Sequence, residues 1–190
     1  MKKRSISPKF FLLLLSFLLV VGIFVSLCLG RFKIPFDPRL WTPQMITILK
    51  NLRLPRILLS CLVGCCLSAA GVTYQSIFKN PIAAPDLLGA SSGSAFGASL
   101  AIMLGFSTTG IAISAFILGF VTIFLVMLIG KRAKGDPITC LILAGIIIGS
   151  LFSSATSCMK LVADPNNQLP AITYWLMGSV ANTTLPEISK

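Results

Sequence analysis

Two arginines stand three residues apart in Leu52-Arg53-Leu54-Pro55-Arg56, and that spacing puts both side chains on one face of a helical turn. Fixed cations of this kind can steer and register an acidic partner, because complementary charge governs encounter and orientation. They can equally belong to a plain solvated loop, since long basic side chains at a membrane edge snorkel towards water. Around them, segment 30–56 carries Arg31, Lys33, Arg39, Lys50, Arg53 and Arg56 against a lone acid, Asp37. Spacing alone does not choose between a docking surface, an inverted topology and an ordinary loop.

Covalent chemistry has little to work with. The carboxylates are Asp37, Asp86, Asp136, Asp164 and Glu187, all outside the long uncharged stretches, and there is no histidine. Hydrolysis by general acid and base, or by an intramembrane metal, needs histidine or paired carboxylates. Carriers driven by protons or sodium usually need an ionisable residue within the membrane. No GxxxxGK[ST] loop is present to cradle ATP phosphates, so any driving energy must come from another subunit. Cys28, Cys61, Cys65, Cys66, Cys140 and Cys158 lie in or at the ends of apolar stretches with no CxxC pair. They read as small packing residues, and no metal site, cofactor or disulfide framework is expected.

The elements that must position these residues are membrane helices. Of 190 residues, 55% are apolar and 11% charged, with a mean hydropathy of +0.92. Soluble domains carry about a quarter charged residues. Crossing the hydrocarbon core takes roughly 20 apolar residues of helix. Residues 10–29, 57–78, 110–130 and 138–159 meet that length without a charge. A fifth stretch, 87–104, is uncharged but rich in Gly, Ser and Ala, which suits packing among other helices. The expected fold is all-α: one polytopic bundle of about five spans over 1–190. Residues 10–29 could instead be a signal peptide behind Lys2, Lys3 and Arg4. The run is too long, however, and Val25–Gly30 offers no small-x-small cleavage site, so it reads as a retained span.

Orientation follows from Lys and Arg, which favour the cytoplasmic side of short loops. With the N-terminus inside, the inner segments hold Lys2, Lys3, Arg4 and Lys9, then Lys79, then Lys131, Arg132 and Lys134. Only the basic segment 30–56 dissents.

Local punctuation marks the helix starts. Pro55 suits a first helical turn. Pro81 and Pro85 break the chain between the second and third spans, and Asp86 is expected to cap the next helix. Asp136-Pro137 repeats the device ahead of the last span. Small residues recur every fourth position as Ser60, Gly64 and Ser68; as Gly89, Gly93, Gly97, Ala101 and Gly105; and as Gly145, Gly149 and Ser153. Most should permit close packing of helix backbones, and Gln75 needs a partner if buried. Lining a pathway or a subunit interface is the other reading for the last set.

Taken together, residues 52–100 resemble the signature stretch of FecCD-type permeases of ABC importers. The resemblance rests on Arg53-Leu54-Pro55-Arg56, the helix ending at Gln75, the Asn80-Pro81 turn with Pro85 following, and the Leu88-Gly89 start of a glycine-rich helix. Leu143-Ala144-Gly145 and Tyr174–Ser179 are similar to later landmarks, so it runs from about residue 10 to the end. The resemblance implies a permease of about ten spans in a bacterial plasma membrane, moving ferric siderophore, haem or cobalamin without chemistry of its own. It implies ATP-binding cassette ATPase subunits, an extracytoplasmic binding protein and a second permease subunit as partners, with no nucleic acid and no cofactor. Arg53 and Arg56 would meet acids of the binding protein. Asn80, Ile82 and Thr139, with Cys140 beside it, would lie at the inner gate, and Gly145, Gly149 and Ser153 would form pathway or dimer wall. These residues would make up the front half of such a permease, lacking the family's main coupling loop. The alternative is a truncated, non-transporting membrane fragment that only associates with importer subunits.

Overall fold

The computed structural model describes residues 7–28, 42–81 and 83–181. Lys2, Lys3, Arg4, the stretch of the basic segment holding Arg31, Lys33, Asp37 and Arg39, and the gate candidate Ile82 lie outside the described residues. The chain forms two compact units, one of Met1–Gly64 with Val180–Lys190 and one of Cys65–Ser179. Every regular element among the described residues is helical, as expected of an all-α membrane bundle. The helices Lys9–Cys28, Pro43–Phe78, Thr108–Arg132 and Pro137–Val162 are long and apolar enough to span a membrane.

In the first unit, α1 (Pro8–Cys28) exposes its large side chains all round, from Phe10 to Val25. A helix apolar on every face belongs in lipid or among other membrane helices. Next comes α2 (Pro43–Ile48), opened by Pro43 behind an extended Thr42, and then a π-helical turn, Leu49–Arg53. This leads without a break into α3 (Leu54–Phe78). The expectation that Pro55 opens the helix is therefore corrected. Pro55 sits inside a continuous helical run, fully buried. Proline within a helix removes an amide donor, and its ring presses on the carbonyl four residues back. The wider π turn immediately ahead, closed by Leu54 N–H on the Leu49 carbonyl, makes room for that ring.

The second unit is built on three helices: α4 (Ala90–Met103), α5 (Thr108–Arg132) and α6 (Pro137–Val162). Glycines set how closely they approach. A Cβ on Gly93 would fall 1.8 Å from Thr122 Oγ1, and one on Gly97 would fall 2.6 Å from the Ser114 carbonyl oxygen. The Ser114 hydroxyl then donates to the Gly97 carbonyl at 2.8 Å, joining α5 to α4. At the far end of α5, Gly130 lies against Leu141 of α6. Phe78, Ala83, Leu88, Val126, Ala144 and Ile148 form an apolar cluster where α3 ends and α6 begins.

The small-residue stripe from Gly89 to Gly105 divides by role. Gly93, Gly97 and Ala101 pack, whereas Gly89 and Gly105 take left-handed backbone, at φ 68° and 73°. Gly105 closes α4 as Phe106 N–H reaches back to the Ala101 carbonyl at 3.0 Å. Nothing lies within 4 Å of where its Cβ would be, so it is a turn residue and no packing contact. The expected third span, 87–104, is a 3-10 turn (Pro85–Leu88) followed by the 14-residue α4. At about 1.5 Å per residue, α4 falls short of a bilayer's hydrocarbon thickness of about 30 Å. It is held instead between α5 and α6, with Gly93, Gly97, Ala98, Ser99 and Ala101 buried.

Two capping expectations divide in the same way. Asp136 caps α6, its Oδ2 accepting from the Thr139 N–H at 2.9 Å, with Pro137 at the first helical position. Asp86 does not cap α4. It sits in the 3-10 turn, where its backbone carbonyl accepts from Gly89 N–H at 2.9 Å, and Gly89 occupies the cap position. Finally, α7 (Gln168–Met177) is docked by fully buried Ile172 and by Gln168, whose amide donates to the Met103 carbonyl at the end of α4 at 3.3 Å.

Candidate functional site

Arg53 and Arg56 lie in the first unit with different surroundings. The Arg53 guanidinium donates to the Leu27 carbonyl. That carbonyl is among the last four of α1, which have no partner inside their own helix. A cation there also complements the negative end of the helix dipole. Arg56 is half-buried beside an open pocket with Leu19, Gly22, Ile23, Ser26 and Ser60, and its Nε is buried without a hydrogen-bond partner. Arg53 is therefore engaged locally at the end of α1, and Arg56 lines the pocket beside it.

Asn80 follows a left-handed Lys79 (φ 49°), and its N–H returns to the Gln75 carbonyl at 3.3 Å to close α3. The Gln75 side chain is exposed and donates to the Pro81 carbonyl at 3.2 Å. Thr139 is committed to Asp136, through its N–H and through its hydroxyl at 2.7 Å. Those two bonds, the backbone one first, hold the Asp136 carboxyl below the usual carboxylate range. The Asn80 turn and the start of α6 are brought to one end of the unit by the apolar cluster, to which Phe78, Ala83 and Ile138 contribute.

Gly145, Gly149 and Ser153 lie on one face of α6, and the first two are buried against the turn before α4. A Cβ on Gly145 would stand 2.1 Å from the Leu87 carbonyl oxygen, and one on Gly149 would stand 3.3 Å from Gly89 Cα. Ser153 donates to the Ser92 hydroxyl at 3.1 Å. All three residues line an open cleft of about 490 Å³ with Asp86, Ser92 and Ser150. Ser92 and Ser153 also line a second open cleft, of about 360 Å³, with Ser91, Thr156, Ser157 and Lys160. The two clefts form a hydroxyl-rich track along α6. Sequence reading did not single out Ser92, Ser150, Ser157 or Lys160. Their signal was available in part, because residues 146, 150, 153, 157 and 160 recur at helical spacing on one face.

The track offers hydrogen-bonding oxygens, one acid and one cation along a groove.

The model of the FecCD transport family matches residues 18–189. The chain belongs to that family. It is 38% identical over 180 residues to the molybdate import system permease protein MolB of Haemophilus influenzae, which covers 89% of this chain and 53% of that protein. It is 33% identical over 185 residues to the hemin transport system permease protein HmuU of Yersinia pestis, covering 92% and 54%. A solved structure described as an inward-facing conformation of a metal-chelate type ABC transporter superposes with a TM-score of 0.84. That match is at 38% identity and covers 96% of this chain and 57% of the other. The chain thus spans about half the length of the relatives it matches.

Proposed function

We propose that this FecCD-family chain forms the front part of an importer permease that passes a metal-bearing cargo, a ferric siderophore or related chelate, through the plasma membrane. The observation that carries the reading is the fold match to a metal-chelate type ABC transporter across nearly the whole chain. The grooved, hydroxyl-lined face of α6 supports it, since a pathway needs a polar surface and this face offers one. ATP would be hydrolysed by separate ATPase subunits, and a second permease subunit and an extracytoplasmic binding protein would complete the assembly. Asn80, Ile82 and Thr139 would stand at the inner gate, and Gly145, Gly149 and Ser153 would line the wall. The exposed part of the Arg53–Arg56 turn would receive acids of the binding protein.

Uptake of labelled ferric chelate and of molybdate is measured in cells expressing this chain with its ATPase and binding protein. ATP-dependent uptake above an empty-vector control is expected, and its absence for both cargoes sinks the transport reading. Arg53→Glu with Arg56→Glu should weaken binding-protein affinity about tenfold or more at low salt, where screening is least. Unchanged affinity with intact membrane insertion would remove the docking role.

A further inference from the structure

The cleft between α4 and α6 is not uniform along its length. Ser150, Thr156 and Ser157 donate to carbonyls four residues back in their own helix, at 2.7, 2.9 and 3.0 Å. Their oxygens therefore face the groove as acceptors, suited to water. Ser91 and Ser92 differ, because neither hydroxyl donates to any described residue, and Ser92 accepts from Ser153. Lys160, half-buried in the same cleft, makes no ion pair among the described residues. The nearest acid along the chain, Asp164, is taken up by the Asn166 N–H at 3.2 Å and the Asn167 side-chain amide at 2.9 Å. One ammonium and two serine hydroxyls thus share the second cleft, which no acid lines among the described residues.

We infer that this cleft is an anion-receiving site, in which Lys160, Ser91 and Ser92 take the oxygen atoms of an anionic cargo. An ammonium carries three donors on a flexible stem, and bonds from it to an anionic oxygen are about twice as strong as neutral ones. At about 360 Å³ the cleft admits a small oxyanion whole, or the carboxylate or phenolate face of a larger chelate. Both sources present the same chemistry, negatively charged oxygen. The inference rests on the importer reading for the nature of its ligand, but its test needs no transport.

The purified chain in nanodiscs is treated with a membrane-impermeant acetylating reagent, and modification of each lysine is followed by mass spectrometry. Sodium molybdate, ferric citrate and sodium chloride are compared at matched ionic strength. Protection of Lys160 by about threefold is expected, as for a site two-thirds occupied by a blocking ligand, while Lys131 and Lys134 are unaffected. Protection by molybdate assigns a bare oxyanion, and protection by ferric citrate alone assigns an anionic chelate. Ser91→Ala with Ser92→Ala should abolish the protection while the chain still folds, with a thermal midpoint lowered by no more than the loss of the Ser92–Ser153 bond, as read from Ser153→Ala alone. Equal rates in all three salts, equal protection of Lys131, or protection that survives the double alanine variant would each overturn the site. Lost protection with intact uptake condemns this site alone, and lost uptake with intact protection condemns the transport reading alone.

Discussion

Gly145 and Gly71 are the same residue type in two membrane helices with opposite constraints. A methyl group on Gly145 meets the Leu87 carbonyl and the Leu88 backbone, neither of which can rotate away. Gly145→Ala should therefore cost about 1–3 kcal/mol, the usual penalty for overpacking. Gly71 has nothing within 4 Å of the same position, so Gly71→Ala should be neutral or gain up to about 1 kcal/mol from helix propensity. Thermal unfolding of the two variants in one detergent reads the contrast, and equal midpoints would refute it. The sequence placed Gly145, Gly149 and Ser153 on one face from their spacing alone. It could not say what they face, because Leu87 and Ser92 reach α6 from some sixty residues away, and periodicity carries no information across that distance.

At the scale of elements, caps and turns decide where helices begin. Asp136 holds the first turn of α6, and its carboxyl is kept below the usual range by Thr139. A group whose folded pKa is lowered stabilises the fold above its unfolded value, and that contribution is lost as pH falls through the folded one. Thermal midpoints should thus fall more steeply below about pH 4 in the native chain than in Asp136→Ala, which has no such increment to lose. Parallel curves for the two proteins would contradict the cap's role. Between helices, Ser114→Ala removes the bond to the Gly97 carbonyl and should cost about 0.6 kcal/mol, the average for hydrogen bonds between membrane helices, and no more than about 1.7. The ends of α5 and α6 were readable from charge breaks and from Asp136-Pro137. The helix over Pro43–Arg53 was not, because Pro55 read as a helix start while the π turn that reconciles it with a continuous helix leaves no mark in hydropathy. Asp86 misled for a related reason: a capping residue type stood in place, but left-handed Gly89 took the position.

For the whole molecule, the positive-inside reading makes a directional claim. Phe106 lies between α4 and α5, and Lys134 lies between α5 and α6. With native cysteines replaced, Phe106→Cys should react with a membrane-impermeant maleimide in intact cells, and Lys134→Cys only after lysis. The reverse pattern would invert the topology and would put the basic segment 30–56 on the cytoplasmic side. Membership of the FecCD transport family was legible in residues 52–100, where several weak motifs fall in a fixed order. Cargo was not legible there, since relatives of similar identity are named for molybdate and for hemin.

The approach of Gly89 to Gly149 has a mechanical side. Where most helix contacts are cushioned by side chains that can change rotamer, here main chain rests on main chain, with a Cβ on Gly89 falling 2.9 Å from Gly149 Cα. A joint without cushioning does not yield gradually. If α6 tilts, the Pro85–Leu88 turn must travel with it or the joint must separate. The lever arm of α6 and the segment that follows α3 would then move as one part, like a hinge pin seated in its bearing.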